Sequence, residues 1–164
     1  MSVTVRVRGG FLRRVATRRP AVVIAGAVAT ALGVNLALWS AGLVLGGSFQ
    51  YVEADGSLHT TTAPQGVITM TVLPMSGGLA LAALLAAAQR RAVSRRVVLR
   101  SAQAIGAGAA LATAAPTFTA GFDTPSTVAL GLMHAVIAAL VVLALEALVR
   151  RSGADRAVVT QAAR

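Results

Sequence analysis

Cysteine is absent from this 164-residue chain, lysine is absent as well, and the acidic residues number only five. Without cysteine there is no disulfide, no thiolate nucleophile and no soft metal site, and a quinone-linked thiol oxidoreductase is excluded outright. Aromatic residues make up only 4% of the chain, yet 56% of it is hydrophobic. The apolar content therefore comes from Ala, Val and Leu, with sixteen Gly beside them. Small side chains of this kind suit closely packed membrane helices. A mean hydropathy of +0.76 lies well above that of a soluble domain. No nucleophile, base and acid set, no metal-ligand spacing and no phosphate-binding loop is present. The expectation is a protein that is not an enzyme and carries neither cofactor nor metal.

Charge is also one-sided, with fifteen arginines and a formal net charge of +10. In a soluble protein such a balance would point to nucleic acid, because clustered arginines neutralise phosphates. Placement points elsewhere. The arginines fall in three groups, each flanking an apolar run, with no aromatic interleaving and no helix-turn-helix pattern. The partner this implies is a bilayer with an anionic cytoplasmic leaflet, not nucleic acid.

A hydrocarbon core of ~30 Å takes ~20 apolar residues in helical rise. Four stretches meet that length, at about residues 21–47, 66–88, 97–117 and 127–149. The first is preceded by Arg13, Arg14, Arg18 and Arg19, as a signal peptide would be. It is roughly twice as long as a cleavable apolar region of ~7 to 15 residues, and it ends in Leu-Gly-Gly instead of a small-residue cleavage site. Orientation follows from the arginines. Residues 1–20 hold Arg6, Arg8, Arg13, Arg14, Arg18 and Arg19; the middle loop holds Arg90, Arg91, Arg95, Arg96 and Arg100; residues 150–164 hold Arg150, Arg151, Arg156 and Arg164. With four spans these three segments share a side, and the remaining two loops carry no arginine but contain Glu53, Asp55 and Asp123. The positive-inside rule then places both termini in the cytoplasm of a multi-pass cell-membrane protein. Residues 1–20 are expected to form a disordered basic tail on lipid headgroups, contacted through Arg13, Arg14, Arg18 and Arg19, with Arg90, Arg91, Arg95 and Arg96 doing the same from the middle loop. No fold is assigned to the tail at 150–164.

The outer loop at 48–65 reads SFQYVEADGSLHTTTAPQ. Asp55-Gly56 is a turn dipeptide flanked by β-formers, which predicts a short hairpin. Pro64 separates it from the second helix. His59, Glu53 and Asp55 could form a hard-metal site, but a solvated hairpin accounts for them more simply.

Polar side chains at depth are few, and each needs a partner. Asn35 and Trp39 share a face of the first span, Ser76 follows Pro74 in the second, Ser101 and Gln103 lie in the inner part of the third, and His134 is in the fourth. Counting ~1.5 Å per residue from the outer ends brings Asn35, Ser76 and His134 to a common depth. They form a candidate intramembrane polar site with Trp39, in which His134 either relays protons or simply ties helices together. Glu146, the only acid within a span, has Arg150 at i+4, which predicts an interfacial ion pair. Pro74 should kink the second helix. Gly42 and Gly46, and the ridge of Ala104, Gly108 and Ala112, predict tight crossings within or between protomers.

The run Asn35-Leu36-Ala37-Leu38-Trp39, the long polar outer loop, the arginine-rich hinge after the second span, Ala114-Ala115-Pro116 at the end of the third, and Leu132-Met133-His134-Ala135 in the fourth together carry a resemblance. The chain resembles a family of small four-helix membrane proteins from high-GC Gram-positive bacteria, one classed as a domain of unknown function. The resemblance covers roughly residues 21–148. It implies fold and location and draws attention to Asn35, Trp39 and His134, and it brings no activity.

The fold expected is an all-α four-helix transmembrane bundle, N-in and C-in, with a short extracellular β-hairpin between spans 1 and 2. Two functions fit. One is a structural or accessory membrane protein acting as a homo-oligomer or on a membrane protein partner; the other is a small transporter or channel subunit using Asn35, Ser76 and His134.

Overall fold

The computed structural model describes residues 9–52, 56–60 and 64–162. It is dominated by α1 (Gly9–Val44), α2 (Pro64–Ala88), α3 (Ala92–Ala112) and α5 (Thr124–Ala162), with a short α4 (Ala115–Thr119) before the last helix. Two three-residue strands, β1 (Gln50–Val52) and β2 (Leu58–Thr60), pair antiparallel between α1 and α2, with Tyr51 opposite His59. Four helical stretches are long and apolar enough to cross a membrane: Pro20–Val44, Pro64–Ala88, Ala92–Thr119 and Thr124–Arg151. Their outward surface is rich in Leu, Val and Ile, including Leu73, Leu84, Ile105 and Leu143, all more than half exposed. In water such a surface would drive association, and in hydrocarbon it costs nothing.

The helices form a ring in the order α1, α2, α3, α5, with α5 packed along both α1 and α3. Two buried clusters fill the ring. Near the end that carries the arginine loop, Ala31, Met75, Leu79, Leu99, Leu145 and Leu148 are among the packed residues. Near the hairpin end, Phe49, Ala129, Leu130 and Met133 pack with Leu38, Trp39 and Phe122 against them.

Several expectations change. Residues 9–20 are helical, not disordered: α1 runs through Pro20, which forgoes one backbone hydrogen bond to the turn before it. Residues 150–162 likewise continue α5. The third span, expected at 97–117, is interrupted. Helix α3 ends at Ala112, capped at Thr113, and α4 restarts with Pro116 in its first turn, where a missing N–H is harmless. Pro74, where a kink is expected, lies inside α2, which is one continuous helix across it. Asp55 of the expected turn dipeptide and Glu53 of the possible metal set lie outside the described residues. Gly56 has φ +82°, and His59 Nε2 is 3.0 Å from Ser57 Oγ.

The glycine pair in the first span works inside the protomer. Gly46 donates to the Leu43 carbonyl at 3.0 Å and Gly47 to the Gly42 carbonyl at 2.8 Å, with Gly46 at φ +90°. This is a Schellman cap that ends α1. A Cβ on Gly42 would come within 2.7 Å of the Phe49 ring and 3.1 Å of Ala129 Cβ. Gly42 therefore makes room for Phe49, which folds back under the end of α1 and is 1% exposed. The ridge of Ala104, Gly108 and Ala112 faces outward. The close crossing on α3 is instead at Gly106, whose Cβ would lie 2.9 Å from Val141.

Phe49 has φ +53°, an uncommon conformation for a bulky residue. It is held there by α5. The Phe49 N–H donates to Ser126 Oγ at 2.9 Å, and Asp123 Oδ2 accepts from both the Ser48 N–H (2.8 Å) and the Ser48 hydroxyl (2.7 Å). Asp123 Oδ1 accepts the Ser126 N–H at 2.8 Å, the geometry of a helix N-cap. These bonds, those from Ser48 foremost, hold the Asp123 carboxyl well below the usual carboxylate range.

Gly42→Ala is expected to destabilise the bundle by about 1–3 kcal/mol through overpacking. Phe49→Leu should recover part of that loss in the Gly42→Ala background although it is destabilising by itself, as read by thermal unfolding in micelles. Because the folded Asp123 pKa is depressed, its contribution to stability is complete above its ordinary value of 3.8 and is lost as pH falls below that value. Asp123→Asn should flatten the fall in melting temperature as pH drops from about 4 to about 2.

Candidate functional site

A layer of polar side chains separates the two apolar clusters. Asn35 stands one turn from Ala31 on one side and one turn from Trp39 on the other, and is 1% exposed. Its Nδ2 donates to Thr71 Oγ1 on α2 at 3.0 Å. Its Oδ1 is buried and has no hydrogen-bond partner. His134, on α5, is half-buried, and its Nδ1–H donates to the Leu130 carbonyl one turn back at 2.8 Å. In the neutral ring this leaves Nε2 as an acceptor.

Asn35, Thr71 and His134 all line one cleft of about 770 Å³ between α2 and α3, floored by α5 and α1. Its floor is buried, with Met75, Leu79 and Leu145 at 3% exposure or less, whereas Met70 on α2 and Ile105 on α3 at its rim are each 71% exposed. The cleft thus opens sideways, between two helices, toward whatever surrounds the bundle.

The sequence-predicted site is brought together only in part. Asn35 and His134 meet the same cleft. Ser76 does not line it: its hydroxyl donates to the carbonyls of Val72 and Leu73 on its own helix. Trp39 does not line it either, and packs near Phe49 with ring centroids 6.4 Å apart. Thr71 takes the place expected of Ser76. The depth count misses it because α1 ends at Val44, not at Gly47. From Val44 to Asn35 is nine residues and from Pro64 to Thr71 is seven, so these two are level.

A second polar cluster closes the arginine-rich end. Glu146 Oε1 pairs with Arg150 at 3.0 Å, and its Oε2 pairs with Arg100 of α3 at 2.7 Å. Arg100 also donates to Gln103 Oε1 at 2.9 Å, and Gln103 Nε2 donates to the Val142 carbonyl at 3.0 Å. The predicted i, i+4 pair is therefore one half of a bridge between α3 and α5. Sequence spacing could reveal only the half that lies on one helix. Arg95 caps α2 through a bond to the Ala86 carbonyl at 3.0 Å, while Arg90, Arg91 and Arg96 are exposed. Arg13, Arg14, Arg18 and Arg19 lie on the first turns of α1, and their side chains fall outside what the structure describes.

A model for a family of unknown function, DUF6069, matches residues 13–151. The chain belongs to this family. The DUF6069 match contains all four apolar stretches, the cleft and both polar clusters. No curated protein and no solved structure matches the chain.

Replacing Thr71 by Val leaves the Asn35 amide without its partner and should cost about 1–3 kcal/mol. Adding Asn35→Leu to Thr71→Val should restore much of that stability, because the polar pair is then removed as a unit. Unfolding of the four chains of this cycle in one detergent measures the coupling.

Proposed function

We propose that this chain is a multi-pass protein of the cell membrane with both termini and all three arginine groups on the cytoplasmic side. Within that membrane it acts as a non-enzymatic accessory protein, engaging a membrane partner or a second copy, and does not conduct or exchange a solute. The topology reading is supported by the arginines: each of the three groups lies at an end of a membrane-length helix, and the hairpin and Asp123 lie at the opposite ends.

One observation carries the accessory reading. The hydrogen-bond donors that a permeation path would need are given to partners within the bundle, as the Ser76 hydroxyl bonds its own helix, Asn35 Nδ2 bonds Thr71 and His134 Nδ1–H bonds Leu130. The cleft beside them is lined almost wholly by apolar residues and contains no charged side chain among those described. A path for protons or ions would require water or ionisable groups in series.

Absence of native cysteine makes topology directly testable. In intact cells, Ser57→Cys should react with a membrane-impermeant maleimide and Ser94→Cys should react only after permeabilisation; the reverse pattern would overturn the orientation. Purified protein in liposomes should carry no proton flux above that of protein-free vesicles. A flux that His134→Gln abolishes would establish the transport reading instead.

A further inference from the structure

We propose that the cleft between α2 and α3 binds a single-chain, uncharged amphiphile dissolved in the bilayer, whose head group is a hydroxyl donor: a long-chain alcohol or phenol. This rests on the reading that the chain spans a membrane, because the cleft opens sideways between two spanning helices.

The chemistry of the cleft selects the head group. Asn35 Oδ1 is a buried acceptor without a partner, and such a group in hydrocarbon costs about 1–3 kcal/mol until a donor reaches it. His134 Nε2 is a second acceptor, since Nδ1 already carries the proton given to Leu130. Two acceptors and no charged residue favour a neutral molecule that donates hydrogen bonds. A phosphate- or carboxylate-bearing lipid head would need arginine there, and the described arginines all lie at the far end of the bundle.

Size selects the tail. The lining on α2 runs from Gly66 to Leu85, a rise of about 28 Å. A helix filling that length would occupy roughly 2,000–3,000 Å³ at a diameter of ~10–12 Å, several times the 770 Å³ available. The volume falls instead in the range of small-molecule sites, ~300–1,000 Å³. An alkyl or prenyl chain laid along Met75, Leu79 and Ala82, with its hydroxyl at the Asn35 layer, fits both the length and the volume.

The cleft has a structural origin. Helices α2 and α3 are tied at the arginine-rich end by the short loop and by the Arg95 bond to Ala86. At the hairpin end α1 is latched to α5, whereas α3 ends early at Ala112. That end of the α2–α3 seam is where the Asn35, Thr71 and His134 layer is reached.

Photolabelling of the full chain in liposomes with a diazirine-bearing long-chain alcohol tests this. Labelled peptides should map to the buried lining residues Met75, Leu79 and Leu145. Unlabelled dodecanol should compete about three- to tenfold better than dodecyl methyl ether, the factor expected for one net hydrogen bond. The Asn35→Leu, Thr71→Val double variant should keep less of that preference than the unaltered chain, because only the His134 acceptor remains. Equal competition by alcohol and ether on the unaltered chain would overturn the proposal without any variant. Labelling spread over the outward helix faces would do the same, as would cleft residues cross-linked to a second copy. Failure here with the Ser57 and Ser94 labelling pattern intact would sink the ligand alone, and loss of that pattern would sink the membrane reading beneath it.

Discussion

The bonds that Asp123 and Ser126 make to Ser48 and Phe49 join the end of α1 to the start of α5. Much of the hairpin half follows from them. They hold Phe49 in a left-handed conformation beneath the Schellman cap, and the buried ring supplies the apolar volume at that end. Gly42 has to be glycine for the ring to fit. The carboxylate has a further task, since it also caps the N-terminus of α5, where the helix dipole favours negative charge. One short segment thus starts the last helix and positions the first.

The other end is organised differently. Glu146 joins α3 to α5 through Arg100, Gln103 adds a bond to the α5 backbone, and Arg95 caps α2. All of these lie at the arginine-rich end. Each helix pair in the ring is therefore tied near at least one end, and among the described bonds α2 and α3 are tied only near the arginine-rich end. The cleft lies along that seam, and Asn35, whose side-chain oxygen has no partner, is among the residues that line it. In a bundle whose apolar surface and surroundings are chemically alike, hydrogen bonds between helices carry much of the specificity of packing. An acceptor left without a donor beside an open seam is consequently informative, because hydrocarbon offers it nothing.

How much of this was legible in the sequence varies residue by residue. Asn35 and His134 stood out because polar groups are rare inside apolar runs, and both reach the cleft. Thr71 did not stand out, as its depth depends on where α1 stops, and that is set by the Gly46 cap. Ser76 was expected at the depth of Asn35 and His134, but its hydroxyl returns to its own helix, an option always open to serine and invisible in a sequence. Trp39 shares a face with Asn35 yet lies one turn nearer the hairpin, with Phe49. The Arg100 partner of Glu146 was likewise hidden, since it comes from another helix.

The sequence by itself determined the class of the molecule and its four membrane-length helices. Those properties depend on composition, length and the placement of charge, which act through the solvent and need no knowledge of neighbours. Only the tertiary structure decided which polar groups meet, that the third span breaks at Thr113, that the basic segment from Gly9 continues α1, and that a cleft opens between α2 and α3. These depend on contacts between residues far apart in the chain. Among many small apolar side chains of similar size, such contacts are fixed by a few hydrogen bonds and close approaches that no local pattern encodes.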